Sequence, residues 1–471
     1  MEDERNLALE SLLDPPPPPG YEEEPKKPPT PKKRAPLALF AGVCALILCL
    51  GIWIGTGIGS PKTTQPPESE QLQSPPETTT TPESTAPSEP GWEANLLRAD
   101  PVPYQSEDKW DWLGEAKVYP VFGSDYQRQQ IASVTFLDTL ADTPEDAWDV
   151  SESGDGRVMA WATPVNDLYD LYIAAEGGVS AASACSDLFA GYSYAKTINF
   201  GEAFHTTGAA DMSCMFLGCE DLTELNLNRF DTSAVQDMSH MFYCCISLKD
   251  LTLGDSFDTS AVQDMSDMFF FCYTLTELNL GDTFDTSAVQ DMSGMFSSCQ
   301  SLTDLTLGDS FDTSAVQDMS EMFSACKALT ELTLGDGFDT SAVQDMSAMF
   351  SHCEALTELT LGDSFDTSAV QDMSSMFSWC SSLTELTLGD SFDTSAVRDM
   401  SSMFYCCEAL TDLTLGDSFD TSAVQDMGYM FFDCRSLTEL TLGDSFVTDH
   451  ANTYEMFSGC PAGADYQHLL N

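Results

Sequence analysis

Phenylalanine recurs every 27 residues along the C-terminal half of this chain, at Phe230, Phe257, Phe284, Phe311, Phe338, Phe365, Phe392, Phe419 and Phe446, with Phe204 one residue out of register. A fixed period in the twenties marks stacked coils, each too small to bury its own apolar side and stable only against its neighbours. The residues around each phenylalanine set the shape of one coil. Leu248, Leu251 and Leu253 form Leu-x-x-Leu-x-Leu, so Leu251 and Leu253 point to one side of a short strand while Asp250 and Thr252 point to the other. Asp258, Thr259 and Ser260 then offer cap oxygens, and Ser260 with Gln263 has the spacing of a capping box. Val262, Met265, Met268, Phe269 and Cys272 follow at helical period, which predicts a short helix with one apolar face. The expected fold class is an α/β solenoid: coils of about 27 residues, stacked through a parallel sheet, preceded by an N-terminal cap domain and one transmembrane helix.

The strand pattern, the run Phe-Asp-Thr-Ser-Ala-Val-Gln-Asp-Met-Ser and the Met-Phe-x-x-Cys ending resemble the BspA-like leucine-rich-repeat proteins of bacterial surfaces. The resemblance covers Ser186 to Cys460 and extends to Val158–Trp161 and Leu171–Val179, which are similar to the segment leading into such repeats. It implies a surface role, often adhesion to host proteins or other cells, and no catalytic residues.

The chain before the repeats divides by composition. Residues 1–34 are rich in Pro, Glu and Lys and read as a disordered cytoplasmic tail. Within 35–59, no charge interrupts the 22 mostly apolar residues Leu37 to Ile58, enough to span a bilayer as a signal anchor. Lys26, Lys27, Lys32, Lys33 and Arg34 precede it and only Lys62 closely follows, so the expectation is a single-pass protein of the bacterial plasma membrane with a cytoplasmic N-terminus and extracellular repeats. Gly51, Gly55 and Gly59 have the small-xxx-small spacing that lets two membrane helices approach, a route to a dimer. With no Leu-Pro-x-Thr-Gly wall-sorting motif, this helix is read as the sole anchor. Residues 60–91, Pro, Thr, Ser and Glu throughout, read as an extended stalk. Residues 92–185 hold five of the seven tryptophans and are expected to cap the first coil of the solenoid, 186–460, with 461–471 as a polar end. Asp149, Ser151, Ser153 and Gly154 match the front of a calcium loop, but Ala160 stands where its closing Glu belongs.

Charge excludes some partners. With 76 acidic residues against 18 Lys and Arg, a net charge of -58 argues against nucleic acid and anionic membrane surfaces. Ten of the 16 cysteines share one column, Cys219, Cys245, Cys272, Cys299, Cys326, Cys353, Cys380, Cys407, Cys434 and Cys460, and are expected as buried thiols on the apolar helix face. His205, His240, His352, His450 and His468 are scattered without partners at catalytic spacing, and an enzyme is not expected. Aspartates also form columns. The one containing Asp255, Asp282, Asp309 and Asp336 admits two readings, side chains that cap turn and helix amides, or a ladder bridged by calcium. No other cofactor is implied.

Comparison among the repeats shows where coils differ: after Met-Ser, at the two residues before the column cysteine, and just after it. Tyr243, Phe270, Phe271, Tyr273, Trp379, Tyr405, Tyr429 and Phe432 fall there and are expected to form an exposed aromatic patch, the candidate ligand-binding residues. The function expected is noncovalent binding, as adhesion to host or cell-surface proteins or glycans. The alternative is a passive spacer or acidic coat, its repeats setting length and its charge keeping surfaces apart.

Overall fold

The computed structural model describes residues 91–101 and 119–470, apart from Asp282, Asp309, Asp336, Asp363, Asp390 and Asp417. These residues fall within one compact unit, Ser84–Asn471. The residues expected as a tail, a membrane span, a Gly51–Gly55–Gly59 face and nearly all of a stalk lie outside them.

Apolar residues alternating with small polar ones, in 131–174, make the strands that precede the repeats. These are β1 (Ile131–Leu137), β2 (Trp148–Asp149), β3 (Met159–Val165) and β4 (Leu168–Ala174). β2, β3 and β4 are antiparallel neighbours, β4 pairs parallel with β1, and β1 pairs parallel with β6 (Thr197–Asn199), the strand of the first coil. Val134 opposite Ile198 ties this sheet to the solenoid core. A second tie is β5 (Val179–Ser180) on β7 (Phe204–His205). Arg128 locks the junction. It is 1% exposed, ion-paired to Asp100 at 3.1 Å, and donates to the carbonyls of Asp187 (2.8 Å) and Ala190 (2.6 Å) while its guanidinium lies 5.4 Å from the centre of the Tyr192 ring.

The repeat strands are β8 (Glu224–Leu227), β9 (Asp250–Leu253), β10 (Glu277–Asn279), β11 (Asp304–Thr306), β12 (Glu358–Thr360), β13 (Glu385–Thr387), β14 (Asp412–Thr414) and β15 (Glu439–Thr441). Leucines point inward and acids and Thr or Asn outward, as alternation requires. They pair in parallel two by two rather than in one continuous sheet. Equivalent rings are not evenly spaced across the coil. Stacked pairs in the Phe242 column stand 5.2–5.7 Å apart, whereas stacked pairs in the Phe257 column, beside the strands, stand 6.2–6.4 Å apart. The coils are closer on the side away from the strands.

The expected helix is absent: among the described residues there is no α-helix. Where it was placed, the chain makes consecutive tight turns. In one coil the amides of Met265, Asp267, Phe269 and Phe271 donate to Asp291, Ser293, Met295 and Ser297 of the next coil, at 2.8–3.1 Å. The amides between them, of Met268, Phe270 and Cys272, close three-residue turns onto Met265, Asp267 and Phe269. Asp267 (φ 54°) and Phe271 (φ 62°) are left-handed, and the same two positions are left-handed in every coil from His240 and Cys244 to Tyr429 and Asp433. A left-handed residue every fourth position forbids an α-helix. The Ser260–Gln263 capping box is accordingly not formed. Ser260 N donates to Asp258 Oδ1 (2.9 Å), and Gln263 N donates to Gln236 O of the preceding coil (2.8 Å).

The core is a set of ladders. Val262, Met265, Met268, Phe269 and Cys272 are all fully buried, as are their equivalents along the stack. The Phe-Asp-Thr-Ser threonine is buried as well, and Thr259 Oγ1 donates to Asp285 O of the next coil at 2.7 Å. The column cysteines are free, buried thiols, Cys272 Sγ donating to Phe242 O at 3.3 Å. Burial pushes Cys219 up to about 12 and raises Cys299 and Cys326 well above the ordinary thiol value. At the far end, 461–471 is more than a polar tail. Ala462 N donates to Leu437 O (3.0 Å), Tyr466 Oη to Leu440 O (2.7 Å), and Tyr466 and Leu469 pack on the last coil.

Candidate binding face

The turn segment buries Met, Met, Phe and Cys inward, which turns the residues at the variable positions outward. Two groups of aromatics gather there. In the first, Tyr243 and Phe270 stack at 5.0 Å and 4°, Phe271 meets Phe270 edge to face at 4.3 Å, and Tyr273 lies 5.3 Å from Phe271. In the second, His352 stacks on Trp379 (5.6 Å), Trp379 lies 5.7 Å from Tyr405, and Tyr405 stacks on Phe432 at 5.0 Å and 5°. Tyr429 meets Phe432 at 5.6 Å and Tyr454 at 5.3 Å, each edge to face. All eight candidate residues therefore lie in two clusters. They are half-buried by ring-on-ring contact rather than openly exposed, because equivalent positions stand one coil apart, at stacking distance. Tyr454, 58% exposed, and His352 belong to the second cluster and escaped the sequence reading, Tyr454 because its coil departs from the repeat.

Between the clusters the same positions hold Ser297, Ser298, Ser324 and Ala325. The repeats are thus internal controls. Coils fold with serine and alanine here, so the fold does not require an aromatic at these positions. Phe271, Trp379 and Tyr429 are moreover left-handed, at φ 62°, 59° and 59°. That conformation costs a side-chain-bearing residue about 1–2 kcal/mol relative to the right-handed region.

The acidic columns serve turns. Asp264 Oδ1 accepts from Ser266 N (2.9 Å) and Ser266 Oγ (2.7 Å), and Asp258 and its equivalents accept from the serine amide two residues on. The column of Asp264 also carries a continuous parallel bridge ladder from Ala184 to Asn452. Burial first, and neighbouring column aspartates after it, raise Asp291, Asp345 and Asp399. Asp255 is exposed in a turn, and Asp282, Asp309 and Asp336 lie outside the described residues. Among the described residues no three His, Cys, Asp or Glu are grouped to hold a metal ion. In the Asp149 loop the carboxylate accepts from Ser151 N (2.9 Å), Ser151 Oγ and Gly156 N (2.9 Å), which commits its oxygens to the turn. His205 stacks on Trp92 at 4.3 Å, His240 Nε2 lies 3.2 Å from Asp267, and burial lowers His205 and His352.

No curated protein matches the chain. Among solved structures, the chain in "Crystal structure of TLR13-ssRNA13 complex" is similar at a TM-score of 0.23 and 16% identity over 58% of this chain. This chain covers 50% of that one, and a likeness at this level carries no argument about fold or ligand. Residues 183–302, 210–331, 273–384 and 358–466 each match the family described as "Mycoplasma protein of unknown function, DUF285". These overlapping matches run through the whole solenoid and over more than half of the 471 residues, and the chain belongs to that family.

Proposed function

We propose that this chain is a bacterial surface protein that presents its solenoid for noncovalent binding, adhering to host or cell-surface macromolecules in the manner of the BspA-like proteins it resembles. The membrane span at Leu37–Ile58 and the stalk at 60–91 supply the display, and the turn-side face supplies the contact. One observation carries the reading: Phe271, Trp379 and Tyr429 occupy left-handed positions that other coils fill with Gly294, Ser298, Ala325 or Ala348. Aromatic side chains gathered at outward-facing positions that serine and alanine fill in other coils are characteristic of contact sites. No catalytic role is proposed.

The spacer reading draws on the near identity of the coils and the net charge of -58. Binding of the full chain to an array of matrix proteins, mucins and glycans separates the two, beside a Phe270→Ser, Phe271→Ser, Trp379→Ser variant that copies residues found in other coils. Saturable binding lost in the variant is the expected result. Binding to nothing, with or without calcium, would leave the spacer.

A further inference from the structure

The first aromatic cluster borders acidic side chains whose chemistry identifies its occupant more narrowly. Gly294 is left-handed (φ 61°) at the position that holds Asp267 in the preceding coil and Glu321 in the following one. A Cβ placed on Gly294 would sit 2.1 Å from Asp267 Oδ1 and 3.4 Å from Phe270 Cδ2, so the carboxylate and the ring edge close over the bare glycine together. Asp267 Oδ2 faces His240 Nε2 at 3.2 Å, and Oδ1 lies over Gly294. Glu321 as a residue is exposed, yet its carboxyl is crowded. Burial first, then Asp267, Asp318 and Asp345, raise its pKa above the ordinary glutamate value. Among the described residues no lysine or arginine pairs with Asp267 or Glu321, whereas Lys327 and Arg435 on the same face are ion-paired to Glu354 and to Glu408 and Asp433.

The fold does not ask for this concentration of charge, since Gly294, Ala348, Ser375 and Ser402 occupy the position in other coils. We propose that the face formed by Tyr243, Phe270, Phe271, Asp267, Gly294 and Glu321 docks a cationic segment of a partner protein. The segment's aliphatic side chains lie against the rings and a lysine or arginine head meets the carboxylates of Asp267 and Glu321. This assignment rests on reading the turn-side face as a recognition surface, and it names the partner class.

The alternatives fail on the same geometry. Sugars stack on open ring faces, but the facing sides of Tyr243 and Phe270 cover each other at 5.0 Å and 4°, and Phe271 meets Phe270 edge to face. Calcium needs six to eight oxygen ligands, and two carboxylates beside a phenyl edge do not supply them. A second copy of this chain brings the same acidic surface, and so do nucleic acid and anionic glycans. An ammonium or guanidinium needs only acceptors and an apolar wall for its stem.

The test is fluorescence-polarisation binding to the full chain at physiological ionic strength. The probes are a labelled peptide alternating lysine and leucine, the same peptide with serine for leucine, and a neutral chitin oligosaccharide. The lysine–leucine peptide should bind saturably and the lysine–serine peptide more weakly. Glu321→Gln and Phe270→Ser should each weaken the first by about tenfold, the size of one charge-assisted hydrogen bond or one buried side chain. The melting midpoint of Glu321→Gln should hold or rise, because the substitution removes a carboxyl crowded by like charges. Equal binding by wild type and variants, equal binding of the two peptides, or a lowered midpoint in Glu321→Gln would overturn the assignment. Oligosaccharide binding lost in Phe270→Ser would overturn it while leaving the recognition face intact. No binding of any probe would remove both.

Discussion

The turn architecture makes a prediction whose sign runs against ordinary expectation: replacing Ala325 or Ala348 by glycine should stabilise the protein. Ala325 sits at φ 55° and Ala348 at φ 53°, both half-buried and both on the outward columns. An alanine held left-handed costs about 1–2 kcal/mol relative to its right-handed state. Glycine removes that penalty and returns about 0.5–1 kcal/mol of it as extra chain entropy in the unfolded state. The remainder is a gain of about 0.5–1 kcal/mol per site, and about 1–2 kcal/mol for both if separate coils add. Were this segment the helix that its apolar spacing suggests, each substitution would instead cost about 1 kcal/mol.

Urea unfolding of the full chain gives the overall shift. Amide exchange at Met322 to Cys353 shows whether the gain is local, which matters because repeat arrays need not unfold in one step. Gly294→Ala is the mirror experiment: at φ 61°, with Asp267 Oδ1 in the path of the new methyl, it should destabilise by about 1–2 kcal/mol. A loss of stability in Ala325→Gly and Ala348→Gly would refute the left-handed turns and restore the helix.

Four further outcomes are expected. Thr259→Val should cost about 1–2 kcal/mol by leaving Asp285 O without its buried donor, while Thr259→Ser should recover most of it, measured by the same urea unfolding. Arg128→Met should cost about 3–5 kcal/mol by leaving Asp100 half of a broken buried pair, with faster amide exchange concentrated at Ser186 to Asn199. Cys299, Cys326 and Cys353, protonated and buried, should resist alkylation in the native protein at about pH 8 and react once it is unfolded, read by mass spectrometry. Asp291, Asp345 and Asp399 have folded pKa values above their unfolded ones, so their contribution is fully present below the unfolded value and is lost as pH rises through the folded values. The melting midpoint should therefore rise as pH falls through the folded values toward the ordinary Asp value of 3.8, before the lowered Asp231 begins to lose its own contribution as it protonates in stronger acid.

The period, the inward leucines and the buried set Val262, Met265, Met268, Phe269 and Cys272 were all legible, because burial depends on which residues recur and at what interval. The helix was not, because a left-handed residue every fourth position carries the same apolar spacing to the same side. Apolar pattern records the direction of a side chain and is silent on the sign of φ. One signal did lie in the sequence: Gly218, Gly294 and Gly459 stand inside the would-be helix, at the two columns that prove left-handed. The C-terminal cap was missed for a different reason, since Tyr466 and Leu469 reach the core through tight turns that have no period to detect. These misses bear on the binding face. In a helix, Phe271 and Trp379 would be ordinary outward side chains free to vary. In this fold they stand where glycine is the least strained choice, and coils a few ångströms away show that serine and alanine serve equally well. The comparison that singles out the candidate face is therefore between coils of one chain, which share the same left-handed backbone and differ in the side chains it carries.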